Sequence, residues 1–313
     1  MQYFESIDHA NIREAYVSVG SFDGLHRGHR HLLERMIQAA GEDGASSAAV
    51  TFFPHPRTVL KPPAESESFH YLTTLEDRLD LLRGLGLDAL VLQPFDPAFS
   101  NTSAAQFLKT LKDRLGMRSF WCGPSFSLGH QREGDVAYLT EKSLALGFSL
   151  YTVPPMTDSA GPITSSRIRR SLAEGKVAEA AGMLGRPFSL SGTVIRGAGR
   201  GRRMSTPTAN LDLWPEILLP ASGVYATWAF PADQRIASVT SIGVRPTFAE
   251  TDTRGTIVET HLLDFSGDLY DTALRVTFAA RLRPERRFSG MPELRKQMAK
   301  DIEQARRLLC EVT

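Results

Sequence analysis

Val17-Ser18-Val19-Gly20-Ser21-Phe22-Asp23-Gly24-Leu25-His26-Arg27-Gly28-His29 decides how the first half of this chain folds. Its apolar opening predicts a strand and its glycines a tight turn. The residues that follow, Arg30-His31-Leu32-Leu33-Glu34-Arg35-Met36-Ile37, carry apolar side chains at helical spacing. A turn that opens a helix presents unpaired backbone N–H groups and the positive end of the helix dipole, which favours a polyphosphate. Gly24 and Gly28 permit close backbone approach, and with Gly20, Phe22 and Asp23 they form the candidate phosphate cradle. His26 and His29 can donate hydrogen bonds to phosphate oxygens as charge builds during phosphoryl or nucleotidyl transfer. Zinc is the competing reading of two nearby histidines, but no third ligand stands at metal-site spacing.

Outward from this turn, apolar runs at 16–20, 48–53, 89–92, 119–122 and 149–153 alternate with amphipathic stretches at 75–85, 104–115 and 139–146. Such alternation predicts an α/β, Rossmann-like domain: a parallel sheet with helices on both faces, its ligands gathered at the carboxyl ends of the strands. A helical stretch over 165–184 runs into Gly185-Arg186-Pro187, taken as the joint, so the expected domains are 1–185 and 186–313. Beyond it, short β-rich runs at 190–195, 223–230, 236–242, 257–263 and 274–278 are separated by Gly, Pro and Asp turns. They predict a small antiparallel barrel, with one C-terminal helix over 291–312.

The chain has 313 residues, 42% of them hydrophobic, enough for two cored domains. Lys plus Arg number 36 against 35 Asp plus Glu, a balance that speaks against a nucleic-acid-coating surface. Cys122 and Cys310 are too few for a disulfide framework, which makes a cytoplasmic home the expectation. The first residues do not read as a signal peptide, and no apolar run nears the ~18 residues of a membrane span. Small molecules are therefore the expected partners, with no nucleic acid and no membrane; the sequence assigns no oligomeric state.

Four further segments carry chemistry. In Thr51-Phe52-Phe53-Pro54-His55-Pro56-Arg57 the prolines fix the backbone as it leaves a strand and can place His55 and Arg57 at the edge that holds His26. In Ile163-Thr164-Ser165-Ser166-Arg167-Ile168-Arg169 the hydroxyls can cap a helix whose early arginines oppose its dipole unless an anion is bound. The tract Arg196-Gly197-Ala198-Gly199-Arg200-Gly201-Arg202-Arg203 can wrap polyphosphate, and Thr208 Oγ1 and Asn210 Oδ1 beyond it are hard oxygens suited to Mg²⁺. Glu259 lies in an apolar run, where an ionisable group is costly unless paired or used. It is the candidate base, or else it points outward from an alternating strand.

The FDGLHRGH run at 22–29 resembles the signature of the HxGH nucleotidyltransferases, in the form found in their flavin-adenylylating branch. The 51–57 segment resembles that branch's TFxPHP motif, and Ile163 to Arg169 its ISSSxIR element. Pro207-Thr208-Ala209-Asn210, Ser222-Gly223-Val224-Tyr225, the run 241–248 and the run 258–265 resemble the riboflavin kinase family in its order. Together the chain is similar to the bacterial bifunctional riboflavin kinase/FAD synthetases. The resemblance implies a six-stranded barrel and two reactions: ATP plus riboflavin gives FMN and ADP, then ATP plus FMN gives FAD and pyrophosphate, with Mg²⁺ or another divalent ion. It also implies roles. His26, His29 and Arg169 act catalytically on ATP, with Ser165, Ser166, Gly197, Arg200 and Gly201 on phosphates. His55, Pro56, Arg57, Ser125 and Phe126 lie at the flavin, Thr208 and Asn210 on the metal, and Glu259 serves as the kinase base.

Two segments depart from these patterns. Gly123-Pro124-Ser125-Phe126-Ser127-Leu128-Gly129 has Ser125 for an acidic residue and Leu128 for an aromatic one, and Met204-Ser205-Thr206 stands where Leu-Gly-Phe is usual. The alternatives are accordingly a riboflavin kinase with a degenerate or re-purposed first domain, and a non-catalytic flavin-binding regulatory protein.

Overall fold

The structure is a computed structural model that describes residues 1–60, 69–196, 208–232, 234–244 and 255–310. By packing, the chain divides into two compact units, 1–69 with 74–164, and 70–73 with 165–313.

The first unit is built on β1 (Gln2–Phe4), β2 (Ala15–Val19), β3 (Ser46–Phe53), β4 (Ala89–Pro94) and β5 (Ser119–Cys122). The two-residue strands β6 (Ser127–Leu128) and β7 (Gly134–Asp135), then β8 (Ser149–Thr152), β9 (Thr157–Asp158) and β10 (Gly161–Pro162), follow. Its helices are α1 (Arg27–Glu42), α2 (Pro56–Leu60), α3 (Leu75–Arg83), α4 (Ala104–Leu115) and α5 (Val136–Leu146). The main sheet has the order β1-β4-β3-β2-β5-β8, and its pairings are all parallel. Val17, Val50 and Phe120 bury one face against Phe107, Leu108, Leu111 and Leu139 of α4 and α5. Tyr16, Ala49 and Leu90 bury the other against Leu33 and Met36 of α1 and Leu79 and Leu82 of α3. Helices on both faces follow from strands that are apolar on both sides, each fully buried large side chain contributing about 1.5–3 kcal/mol.

Local signals fix where α4 starts and stops. Ser103 and Gln106 make a capping box, and Gly116 takes φ +54 at the other end, where a Cβ would come within 2.6 Å of the Glu14 nitrogen. The five predicted sheet strands are present. β1 was not expected, because an edge strand of three residues with its side chains mostly in solvent has no apolar alternation to read.

The second unit contains α6 (Ser165–Ala173), α7 (Val177–Leu184), strands β11 (Ser189–Ile195), β12 (Ala209–Leu213), β13 (Gly223–Pro231), β14 (Ile236–Val244), β15 (Thr256–Leu262) and β16 (Ala273–Pro284), and α8 (Met291–Cys310). The strands close as β11-β12-β15-β14-β13-β16, antiparallel throughout. Inside, Thr227, Ser238, Thr240 and Thr260, all fully buried, form a chain of hydroxyl hydrogen bonds of 2.8–3.0 Å. Outside, Ala305 and Leu309 of α8 pack on Ala226, with Trp228 and Val239 beside them.

The 165–184 stretch is two helices rather than one. Gly175, at φ +75, breaks it beneath the Arg281 side chain, which would lie 2.7 Å from an added Cβ. Both helices pack within the second unit: Arg281 Nη1 donates to the Glu174 carbonyl and Ala221 N to that of Leu172. Residues 70–73 belong there too. Tyr71 exchanges backbone hydrogen bonds with Glu216 and Leu218 at 2.8 Å, and its ring lies 4.8 Å from that of Trp214.

Candidate functional sites on the two units

Because β2, β3 and β5 are parallel neighbours, the segments that leave their carboxyl ends emerge at one edge of the sheet. At the end of β2 the chain reverses through Phe22 (φ +46), Gly24 (φ +79) and Leu25 (φ +31), all left-handed. Close approach fixes two glycines there. A Cβ on Gly20 would stand 3.0 Å from the Phe22 ring, and one on Gly28 3.2 Å from the His26 ring and 3.4 Å from the Ile163 carbonyl.

His26 is the N-cap of α1, its Nδ1 accepting from the His29 backbone N–H at 3.3 Å. With Nδ1 as acceptor, the proton of a neutral His26 ring belongs on Nε2. The His26 and His29 rings stack at 3.7 Å, 16° from parallel, and the Phe22 ring meets His29 edge-on at 5.4 Å. His26 and Asp23 are both buried. The first turn of α1 has no acidic residue and contains Arg27 and Arg30, an arrangement against the dipole that a bound anion would offset.

His55, at the end of β3, is buried; its Nδ1 accepts from Arg57 N at 3.1 Å. Its ring stacks on Phe69 at 4.3 Å, and the Arg57 guanidinium lies 5.6 Å from the same ring's centre. Pro56 opens α2. Beyond β5, Ser125 is exposed and Phe126 packs on Phe120 at 5.4 Å. Leu128 points into the core, so the change from an aromatic residue there alters packing rather than an exposed stacking surface.

Sequence reasoning missed Phe69 and Arg78. Arg78 is fully buried, donates to the Ser21 carbonyl at 2.7 Å and lies over the Phe53 ring. Its signal was present: it falls on the stripe Leu75, Arg78, Leu79, Leu82, at spacing where an apolar residue is expected.

In the second unit, Ser165, Ser166 and Arg169 lie on α6, and Arg169 Nε donates to the His70 carbonyl at 3.0 Å. By packing, residues 165–169 belong to the second unit, and Ile163 and Thr164 to the first. Asn210 pairs directly with Glu259 across β12 and β15, and Ser241 with Glu259 across β14 and β15. Since Ala209, Leu211, Val258 and Thr260 are the buried alternates, Asn210 and Glu259 share the outer face of the barrel, half-buried. Thr208 immediately precedes β12. Asp264 is held by two hydrogen bonds from Arg306 of α8, which pull its carboxyl below the ordinary value. Gly197, Arg200 and Gly201, and the residues Arg245 to Phe248, lie outside the described residues. Among the described residues no three His, Cys, Asp or Glu side chains gather as a metal site.

A parallel α/β unit whose sheet edge carries a histidine-capped helix, followed by a closed six-stranded barrel, defines a nucleotidyltransferase-like enzyme joined to a second catalytic module. Two family models match: FAD synthetase over residues 8–167 and riboflavin kinase over 184–309. The bifunctional riboflavin kinase/FMN adenylyltransferase of Bacillus subtilis is 33% identical over 292 residues, 93% of this chain and 92% of its own. That of Pseudomonas fluorescens is 35% identical over 303 residues, 95% and 93%. A solved structure described as a macrolide-efflux protein from Streptococcus pneumoniae matches with TM-score 0.87 at 28% identity, over 97% of this chain and 98% of that one. That description belongs to that protein; no helix among the described residues here is long and apolar enough to cross a membrane. The chain belongs to the bifunctional riboflavin kinase/FMN adenylyltransferase family. Both halves are matched, so a reading with one vestigial half is not favoured.

Proposed function

We propose that the chain makes FMN and FAD in succession, phosphorylating riboflavin at the barrel and adenylylating FMN at the first unit. One pairing of features carries this: a single polypeptide holds stacked His26 and His29 at a helix N-terminus and, on a separate barrel, Asn210 opposite Glu259.

In the first unit an FMN phosphate oxygen attacks the α-phosphorus of ATP, and the bond to pyrophosphate breaks. No covalent enzyme intermediate is needed; positioning and charge stabilisation suffice. His26 offers its Nε2–H to the phosphate oxygens because Nδ1 is committed to the His29 amide. Gly20, Phe22, Asp23, Gly24 and Gly28 form the cradle, and the N-terminus of α1 adds backbone donors. His55, Pro56, Arg57 and Phe126 leave the same sheet edge and suit a flat, phosphate-bearing ligand, with Ser125 exposed beside them. Ser165, Ser166 and Arg169 are assigned to the ATP phosphates on the motif resemblance.

In the barrel the ribityl 5′-hydroxyl attacks the γ-phosphorus, its proton passes to Glu259, and ADP leaves. Thr208 and Asn210 offer neutral oxygens beside the Glu259 carboxylate. So sparse a donor set fits Mg²⁺, which keeps its waters and binds mainly through substrate phosphates, better than an ion that needs an all-protein cage. Bound there, the ion would neutralise charge on the transferring phosphate. The substrates are small molecules, and a cytoplasmic setting suits an ATP-consuming enzyme with no disulfide.

The test is to incubate the purified chain with riboflavin, ATP and Mg²⁺ and separate riboflavin, FMN and FAD by chromatography. FAD formation is expected. FMN as the sole product overturns the adenylylation assignment, and no product overturns both.

A further inference from the structure

A buried arginine on the core-facing stripe of a helix is expensive, because its charge must be desolvated and its donors satisfied. Arg78 sits in that position on α3, fully buried between Leu75, Leu79 and Leu82. Its Nη1 donates to the Ser21 carbonyl at 2.7 Å, an oxygen that also accepts from Thr51 Oγ1 at 3.1 Å. The guanidinium also lies 5.9 Å from the centre of the Phe53 ring, at the end of β3 and two residues before His55. One side chain therefore touches two of the three segments that leave the sheet toward the candidate site, those after β2 and β3.

The consequence runs through one peptide plane. In a trans peptide the C=O and the following N–H point in opposite directions, so two donors on the Ser21 carbonyl fix where the Phe22 N–H is aimed. Phe22 itself is held at φ +46, a conformation few L-residues adopt, and its ring is edge-on to His29 at 5.4 Å. A strained residue persists only where its surroundings over-determine it, and Arg78 with Thr51 supplies that constraint.

We propose that Arg78 is a positioning residue for adenylyl transfer: by holding the Ser21 carbonyl and the Phe53 ring it sets Phe22, and through Phe22 the His29 ring, in place for ATP. This rests on the adenylylation reading above. Its buried charge also adds positive potential near the site where negative charge must be held.

The test uses the full chain as wild type, Arg78→Met and Arg78→Lys, following FMN to FAD and riboflavin to FMN separately, with the thermal unfolding of each variant recorded. Methionine keeps much of the apolar volume and removes the charge and the donors. It is expected to lower kcat for FAD formation on the order of 10²-fold, as small misplacements do, with a smaller rise in KM for ATP. Lysine restores the charge and one donor and is expected to recover at least about tenfold of that loss. Riboflavin phosphorylation stays at the wild-type rate. Arg78→Met within about twofold of wild-type kcat overturns the proposal. So does a loss in both variants that merely tracks the fraction of folded protein. A wild-type chain that makes FMN but no FAD overturns the underlying reading instead.

Discussion

His26 and His29 are bound to each other twice: the His26 Nδ1 accepts the His29 amide at 3.3 Å while the two rings stack at 3.7 Å. His26 thus serves as helix cap and as candidate phosphate donor, and the two roles can be separated. Asn is as good an N-cap as any residue but lacks the Nε2–H at the imidazole's reach. His26→Asn should leave the thermal unfolding of the chain nearly unchanged and lower FAD formation from FMN by about 10²–10³-fold, the usual cost of losing a transition-state donor. Riboflavin phosphorylation serves as the internal control.

Gly28 and Gly41 make a matched pair on the same helix. A Cβ at Gly28 would press on the His26 ring at 3.2 Å, whereas one at Gly41 meets nothing within 4 Å. Gly41→Ala should stabilise α1 by up to about 1 kcal/mol without touching activity. Gly28→Ala should depress FAD formation while the protein stays folded, and wild-type activity in that variant would argue against a tightly placed His26.

Glu259 faces Asn210 on the outer surface of the barrel. Glu259→Gln keeps the shape and removes the base, so FMN formation should fall about 10²–10⁴-fold. Conversion of supplied FMN to FAD should continue. Loss of both steps in this variant would contradict two independent sites.

Asp301 of α8 is buried and pairs at 2.9 Å with the half-buried Arg283 of β16, and Gln297 donates to the same carboxylate at 2.7 Å. Asp301→Ala removes the carboxylate that accepts from the guanidinium and should cost about 1.5–3 kcal/mol. Urea unfolding, with amide exchange in α8 as a local readout, would detect it; an unchanged midpoint would mean the pair does not hold α8 to the barrel in solution.

Cys122 lies in the core of the first unit, and burial pushes its thiol up to about 11, whereas Cys310 is exposed. At pH 8 a thiol reagent should label one cysteine quickly and the second only in denaturant, because the thiolate is the reactive form. The folded thiol's pKa lies above the ordinary value of 9.0, so its contribution to stability is intact below that pH and is lost as pH rises toward about 11.

The strand-turn-helix of 17–37 was legible because strand period, glycine turn and helical spacing are local properties, and so were the other four predicted sheet strands. β12 is not among the expected strands: it begins inside the Thr208-Ala209-Asn210 motif, and one of its partners, β15, is distant in sequence. Phe69 and Arg78 went unread for the same reason. Nothing near Phe69 announces that His55 and Arg57 will converge on its ring; Arg78 stands out locally as a charge on the apolar stripe of α3, but its partner, the Ser21 carbonyl, lies 57 residues away.

By itself, then, the sequence determined the two-part architecture and named His26, His29, Asn210 and Glu259, because periodicity and motif spacing are carried along the chain. Only the tertiary structure decided that Asn210 and Glu259 share a face, that 165–184 breaks at Gly175 and packs with the barrel, and that one buried guanidinium braces the turn before α1. Those facts depend on strand register and on which side chains lose their water together, and neither is fixed until distant segments meet.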